Sequence, residues 1–187
     1  RTGKRRRSIT EIKPHEFVSR GIKVVALDAD NTSSYDRTTD PLPGANEWIQ
    51  SLKSEGLKVV LLSNAKTERA RILADRYGIP AVGLACKPLP FGYLRCILRF
   101  FTRPSRICMV GDQLFTDILG ANFMGFQSIY VYPHEKEKQN VVSFRIRRAA
   151  MSFSWPSRNS APSSAVSSRK SEVPTRKSKQ IFDMYQS

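Results

Sequence analysis

Between residues 13 and 135, short apolar runs alternate with segments of helical periodicity, and this alternation constrains the fold more than any other feature. The runs are rich in Val, Ile and Leu, which is typical of strands buried on both faces. They lie at 23–28, 58–62, 81–85, 106–110 and 127–132, with helices predicted at 44–55, 66–77, 91–101 and 116–124. Because such alternation requires right-handed crossovers, we expect an α/β fold: a three-layer sandwich around a parallel sheet of about five strands.

The net charge of +15 lies mostly at the two ends of the chain. Residues 1–12 carry +4 and residues 136–187 carry +8, whereas residues 13–135 carry 15 bases and 12 acids, or +3. The C-terminal part also contains 12 serines and has few apolar residues that could form a core. We therefore predict a basic flexible segment at 1–12, one domain at 13–135, and a basic, Ser-rich, largely disordered tail at 136–187.

Composition excludes several classes of protein. The longest apolar runs are far shorter than the roughly 20 residues that span a bilayer. Three cysteines are too few for a disulfide framework, so we expect no disulfides and a reducing, cytoplasmic location.

Polar and acidic residues follow four of the predicted strands. The carboxyl ends of parallel strands meet at one edge of a sheet, where open α/β folds bind their ligands. We therefore expect the side chains of these residues to converge: Asp28, Asp30 and Thr32 after the first strand, Ser63 and Asn64 after the second, Lys87 after the third, and Asp112 and Asp117 after the fourth.

Clustered carboxylates repel one another unless a cation lies among them. Oxygen-only ligands suit a hard ion such as Mg²⁺, which commonly retains water and phosphate oxygens. A lysine and a hydroxyl can bind a phosphoryl group that a carboxylate attacks. The set therefore indicates Mg²⁺-assisted phosphoryl chemistry.

The sequences DADNT, SN, KP and GDQLFTD occur in this order at these strand ends. Over residues 14–135 the chain resembles the haloacid-dehalogenase-like (HAD) phosphatases, and within them the YqeG-type group of subfamily IIIA. The eukaryotic relatives of that group are phosphatidylglycerophosphate phosphatases. The resemblance implies a Rossmann-like HAD fold and Mg²⁺ as the cofactor.

The resemblance also implies a role for each residue. Asp28 is the nucleophile, which forms an aspartyl-phosphate, and Asp30 is the general acid and base. Asp28, Asp112 and the Asp30 carbonyl bind Mg²⁺, while Asp117 orients the metal's water or Lys87.

The remaining residues are implied to bind the phosphoryl group. Ser63 and the Asn64 backbone hold its oxygens, Lys87 neutralises its charge and that of Asp28, and Thr32 shapes the loop. The residues after Thr32, SSYD, replace an apolar pair that relatives have more often.

Neither interval in which HAD enzymes insert a cap domain is long enough for one here. Residues 31–43 and 64–86 provide only 13 and 23 residues. We therefore expect no cap domain and an open site that admits a phosphate carried on a large molecule.

The sequence favours a Mg²⁺-dependent phosphomonoester hydrolase whose substrate is phosphatidylglycerophosphate, a step of phospholipid biosynthesis. The predicted helix at 91–101 mixes apolar residues with Arg95 and Arg99, which suits peripheral contact with an anionic membrane surface. A core helix with exposed arginines gives the same pattern.

Phosphoproteins, nucleotides and sugar phosphates stay open as alternative substrates. A basic nucleic-acid-binding protein with a vestigial HAD fold is the alternative from another class; the complete acidic set argues against it and makes nucleic acid an unlikely partner. The oligomeric state is left open.

Overall fold

The structure is a computed structural model, and it describes residues 5–134. Its centre is a parallel sheet of six strands in the order β1-β6-β5-β2-β3-β4. The strands are β1 Arg5–Arg6, β2 Val24–Leu27, β3 Lys58–Leu62, β4 Ala81–Val82, β5 Ile107–Gly111 and β6 Gln127–Val131. The predicted α/β class and parallel sheet are confirmed, with one strand more than expected.

Helices cover both faces of the sheet. They are α1 Pro14–Val18, α2 Ala45–Ser54, α3 Thr67–Tyr77, α4 Pro90–Phe100 and α5 Gly120–Phe123. A π-helical turn, Leu114–Leu119, leads directly into α5. The last predicted helix, 116–124, is therefore a π turn followed by one short α-helical turn.

The prediction of a flexible segment at 1–12 is wrong for residues 5–12. Strand β1 pairs with β6 at the sheet edge, where Arg5 lies beside Tyr130. Ile9 and Ile12, which follow β1 in the chain, are fully buried in the hydrophobic core. Backbone pairing and these two side chains anchor the segment despite its charge. The predicted tail at 136–187 lies outside the described residues, so the division of the chain at residue 135 stays a prediction.

Alternate residues of each strand enter two separate cores, as the two-residue period of a strand requires. Val25 and Leu27 of β2 face a core that contains the buried sides of α2 and α3. Val24 and Ala26 face the opposite core, to which Tyr93 of α4 and Ala121 of α5 contribute. The chain thus forms the expected three layers.

Strand β2 lies at the point where the chain reverses its direction across the sheet. From β2 the chain proceeds through β3 to β4, then returns to form β5 on the other side of β2. Ligands of open α/β sheets bind at this switch point, beyond the carboxyl ends of the strands. The residues that directly follow β2 and β5 are Asp28 and Asp112.

Gly92 allows α4 to pack against the loop that carries Lys87. Its N–H donates to the carbonyl of Ala85 at 3.0 Å. A Cβ at this position would lie 2.6 Å from the Ala85 Cβ and 2.7 Å from the Ala85 carbonyl oxygen. The helix and the loop can therefore pack this closely because Gly92 has no side chain.

We expect Gly92→Ala to destabilise the fold by about 1–3 kcal/mol, because the added methyl group overlaps backbone that has no space to move. Urea unfolding measures the change in the free energy of unfolding. Gln50→Ala on the exposed side of α2 is the control, with an expected change within about 0.5 kcal/mol. Equal effects of the two substitutions would show that the contact is not tight.

Candidate active site

The structure brings the predicted residues together at the carboxyl edge of the sheet. Asp28, Ser63 and Asp112 directly follow β2, β3 and β5, and Lys87 lies in the loop between β4 and α4. All four side chains are buried, with Lys87 only 6% exposed. Parallel strands thus place groups distant in sequence within one small volume.

The centre of the site is a buried lysine shared by two carboxylates. The Nζ atom of Lys87 lies 2.5 Å from Asp28 Oδ1 and 2.6 Å from Asp117 Oδ1. Hydrogen bonds between charged groups at these distances are strong, and each partner here offsets the cost of burying the others. The two carboxylates are therefore held on either side of one positive charge.

The backbone of Lys87 is fixed by the Asn64 side chain. The Asn64 amide donates to the Lys87 carbonyl at 3.0 Å, and its oxygen accepts the Lys87 N–H at 2.7 Å. In the preceding loop, Leu84 and Cys86 adopt left-handed φ angles of 46° and 54°. Such conformations are unfavourable for residues with side chains and concentrate at functional sites. From the sequence we expected the Asn64 backbone to act in the site, and in the structure the Asn64 side chain makes these contacts.

Asp117 is positioned by the π-helical turn. Its Oδ2 accepts the N–H of Gln113 at 3.0 Å. Gly111 lies so close to this carboxylate that a Cβ there would collide with it. Thr32 contacts the neighbouring acid, since its hydroxyl lies 3.5 Å from Asp112 Oδ1. Thr32 thus contacts Asp112, while Asp117 contacts Lys87 and the backbone of Gln113.

Burial dominates the electrostatics of Asp28. Burial, with the negative charge of Asp117, raises the pKa of Asp28 from 3.8 to about 7, although Lys87 opposes the rise. Burial alone would lower the pKa of Lys87, but the charges of Asp117 and Asp28 outweigh it and raise that pKa. The site thus keeps its lysine charged and carries more carboxylates than this one lysine neutralises.

Three of the acids could hold a metal ion. Asp28, Asp112 and Asp117 each offer a carboxylate oxygen, and these oxygens lie within 4.8 Å of one another. Asp28 Oδ2 is buried and has no hydrogen-bond partner among the described residues. An unpartnered buried carboxylate oxygen beside two further acids fits a hard divalent cation such as Mg²⁺.

Asp30 is not one of these three clustered acids, and its carboxylate is paired with Arg69. Arg69 of α3 binds both of its oxygens, Oδ1 at 2.6 Å and Oδ2 at 2.7 Å, and this hydrogen-bonded pair raises the pKa of Arg69. The Arg37 N–H also donates to Oδ1 at 2.9 Å. The sequence analysis did not identify Arg69; its position in the first turn of a helix that follows Ser63 and Asn64 was the available signal.

The hydroxyl side chains of the site are satisfied by backbone groups. Ser63 Oγ accepts the Ala65 N–H at 3.1 Å. Ser33 and Ser34 are fully buried and donate to the carbonyls of Asp28 and Ala29. Buried hydroxyls are tolerated when they are bonded in this way. The two serines therefore stabilise the loop that begins with Asp28.

The raised pKa of Asp28 predicts how stability depends on pH. A carboxyl that binds its proton more tightly in the folded chain makes the free energy of unfolding fall as pH rises. For Asp28 the fall lies between 3.8 and about 7. In EDTA, Asp28→Asn should flatten the pH profile of urea unfolding across this window.

The control for this experiment is Asp75→Asn, an exposed acid on α3. It should leave the slope of the profile unchanged. If Asp28→Asn and wild type show the same slope, burial does not raise the pKa of Asp28.

Comparison with known proteins agrees with this geometry. The model of a family described as haloacid dehalogenase-like hydrolase matches residues 4–125. The "Probable phosphatase YqeG" of Bacillus subtilis is 32% identical over 128 residues, which cover 68% of this chain and 74% of that protein. The mitochondrial phosphatidylglycerophosphatase GEP4 of Saccharomyces cerevisiae is 31% identical over 137 residues, which cover 65% and 73%.

One solved structure is similar to this chain in its fold. The crystal structure of an uncharacterized protein from Listeria monocytogenes serotype 4b has a TM-score of 0.51 and 17% identity, and the match covers 70% of this chain and 97% of that one. The match of the family model over most of the described residues and the two curated relatives identify the chain as a member of the haloacid dehalogenase-like hydrolase family.

Proposed function

We propose that this chain is a Mg²⁺-dependent phosphomonoester hydrolase that acts through an aspartyl-phosphate on Asp28, with phosphatidylglycerophosphate as its substrate. The observation that carries the proposal is the buried Lys87 between Asp28 and Asp117, beside an Asp28 oxygen without a partner. Two curated relatives with phosphatase names support the reaction class, and one of them is a phosphatidylglycerophosphatase.

In the first step, the Asp28 carboxylate attacks the phosphorus atom. A bond forms between an Asp28 oxygen and phosphorus, the ester bond breaks, and the leaving oxygen takes a proton from Asp30. Lys87 stabilises the phosphoryl charge because it is buried, positively charged and already aligned on Asp28. In the second step, water gives a proton to Asp30 and attacks phosphorus, which releases inorganic phosphate and restores Asp28.

Asp30 is paired with Arg69 in the structure, since both its oxygens accept hydrogen bonds from that side chain. To act as the acid, Asp30 would have to direct a protonated oxygen at the leaving group, and we expect this to release at least one of the two contacts. We propose that Arg69 holds Asp30 between turnovers.

A magnesium ion, when bound, would neutralise charge on the phosphoryl oxygens. Asp28 and Asp112 would hold it together with the Asp30 carbonyl, and Asp117 would stay on Lys87. Ser63 and the Asn64 backbone would contact the phosphoryl oxygens.

The form of the substrate follows from the surroundings of the site. Residues 31–43 form a loop with isolated bridges at Ser34, and residues 64–86 contain α3 and β4. Neither interval forms a cap domain. A site without a cap suits a phosphate presented on a large carrier such as a lipid.

We expect Asp28→Asn to reduce Mg²⁺-dependent hydrolysis of p-nitrophenyl phosphate at least about a thousandfold, because the nucleophile is lost. Release of p-nitrophenol measures the rate. Asp36→Asn, in the loop that follows Thr32, is the control and should retain activity. Full activity of Asp28→Asn would exclude the covalent route.

The proposed substrate predicts a preference between two phosphate esters. Phosphatidylglycerophosphate in vesicles should be hydrolysed with a higher kcat/KM than soluble glycerol phosphate, which has the same reacting group but no lipid. Release of inorganic phosphate measures both rates, with Asp28→Asn as the blank. Equal rates would overturn the lipid substrate and favour one of the alternative phosphate esters.

The alternative from another class makes the opposite prediction. A nucleic-acid-binding protein with a vestigial fold would bind duplex DNA in a salt-sensitive manner and hydrolyse no phosphate ester. The intact contacts between Lys87, Asp28 and Asp117 do not favour it.

A further inference from the structure

Exposed apolar side chains are concentrated in one part of this molecule. Among residues 5–134, twelve large apolar side chains are exposed, and nine of them lie between residues 84 and 123. Those nine are Leu84, Leu89, Phe91, Leu94, Leu98, Phe101, Phe115, Leu119 and Phe123. Scattered exposed apolar residues are normal, but a concentration of this kind marks an interaction surface.

Helix α4 contributes the first part of this surface. Phe91, Leu94 and Leu98 recur at helical spacing on its outer side, and Phe101 follows its last residue. Leu98 is 65% exposed and Phe101 is 94% exposed. The inner side, with Tyr93, packs against the sheet. The helix is therefore apolar on the side that faces solvent as well as on the side that faces the core.

The π turn and α5 contribute a second row. Phe115, Leu119 and Phe123 recur every four residues, and Phe123 is 79% exposed. The Tyr93 hydroxyl of α4 donates to the Thr116 carbonyl, so the two elements are adjacent on the same face of the sheet. We name the exposed apolar residues of both elements the α4–α5 face.

The charge around this face has one sign. Within residues 84–126 the only acids are Asp112 and Asp117, and both are buried in the active site. Arg95, Arg99, Arg103 and Arg106 are all exposed. On the opposite side of the sheet the charges are mixed, since α2 and α3 expose Glu47, Glu68 and Asp75 together with Lys53, Arg71 and Arg76. The α4–α5 face therefore combines apolar side chains with an unopposed positive charge.

We propose that the α4–α5 face docks on an anionic lipid bilayer. Large apolar side chains flanked by arginines are the composition of interfacial segments that enter the headgroup region. A second copy of the chain is a poorer occupant, because a two-fold contact would bring arginines together without exposed acids to pair with. No helix in the part of the chain that the structure describes is long and apolar enough to cross a membrane.

Docking through this face would bring the bilayer to the active site. Helix α4 begins three residues after Lys87, and Phe115 lies two residues before Asp117. A phosphate on a lipid headgroup would thus meet the site without leaving the membrane. This part of the inference rests on the proposed function, whereas the docking itself does not.

Vesicle binding by the full chain tests the proposal. The vesicles are phosphatidylcholine with or without phosphatidylglycerol, and the variant is Leu98→Asp with Phe123→Asp. We expect it to bind anionic vesicles at least about tenfold more weakly than wild type, because two exposed apolar contacts are replaced by charges. Arg99→Gln should lose about fivefold on anionic vesicles and nothing on neutral ones.

The control variant is Ile72→Asp, an exposed apolar residue on α3 at the opposite face, which should bind like wild type. Hydrolysis of p-nitrophenyl phosphate should be unchanged in all variants, which also shows that they are folded. Equal vesicle binding by the double variant and wild type would overturn the proposal. So would a dimer, formed without lipid, that the double variant dissociates.

Phosphatidylglycerophosphate in two forms separates this inference from the proposed function. The double variant should lose hydrolysis of the lipid in vesicles and retain hydrolysis of a dissolved short-chain form. If wild type hydrolyses neither form while its vesicle binding still depends on Leu98 and Phe123, the docking surface is supported and only the proposed substrate is overturned.

Discussion

The buried charge of Lys87 is the interaction on which the rest of this site depends. It balances Asp28 and Asp117, which would otherwise be two buried carboxylates that repel each other. The position of Lys87 depends on two hydrogen bonds between its backbone and the Asn64 side chain. It also depends on Gly92, which allows α4 to pack closely against the loop that contains Lys87. The packing of a helix against the sheet is thereby linked to the chemistry of an aspartate.

Much of this arrangement could be predicted because it follows from periodicity and strand order. Apolar runs identified β2, β3 and β5, and parallel pairing alone requires that Asp28, Ser63 and Asp112 end at one edge. Strand β1 could not be found in this way, because Arg5–Arg6 is two charged residues long and pairs only through its backbone. The pairing of Arg69 with Asp30 depends on the rotation of α3, and the position of Arg69 in the first turn of that helix was the signal that the sequence offered.

Helix α4 shows a different limit of prediction. Arg95 and Arg99 mark one side of the helix for solvent, but its many apolar residues do not show which of them pack on the sheet. The structure decides it: Tyr93 and Cys96 are buried, and Leu98 stays exposed. The core helix with exposed arginines is thus present, and apolar side chains are exposed beside those arginines. Together with a site that lacks a cap, this exposed face supports the proposed lipid substrate.

The central claim is that Asp28 becomes covalently phosphorylated during turnover, and direct trapping of that state tests it most sharply. Enzyme quenched in acid during hydrolysis is treated with borohydride, which reduces an acyl phosphate to an alcohol, and the modified peptide is located by mass spectrometry. The account predicts modification at Asp28 in the wild type, and none there in Asp28→Asn. Modification at Asp30 or Asp112 instead, or steady turnover with no modified aspartate, would contradict it.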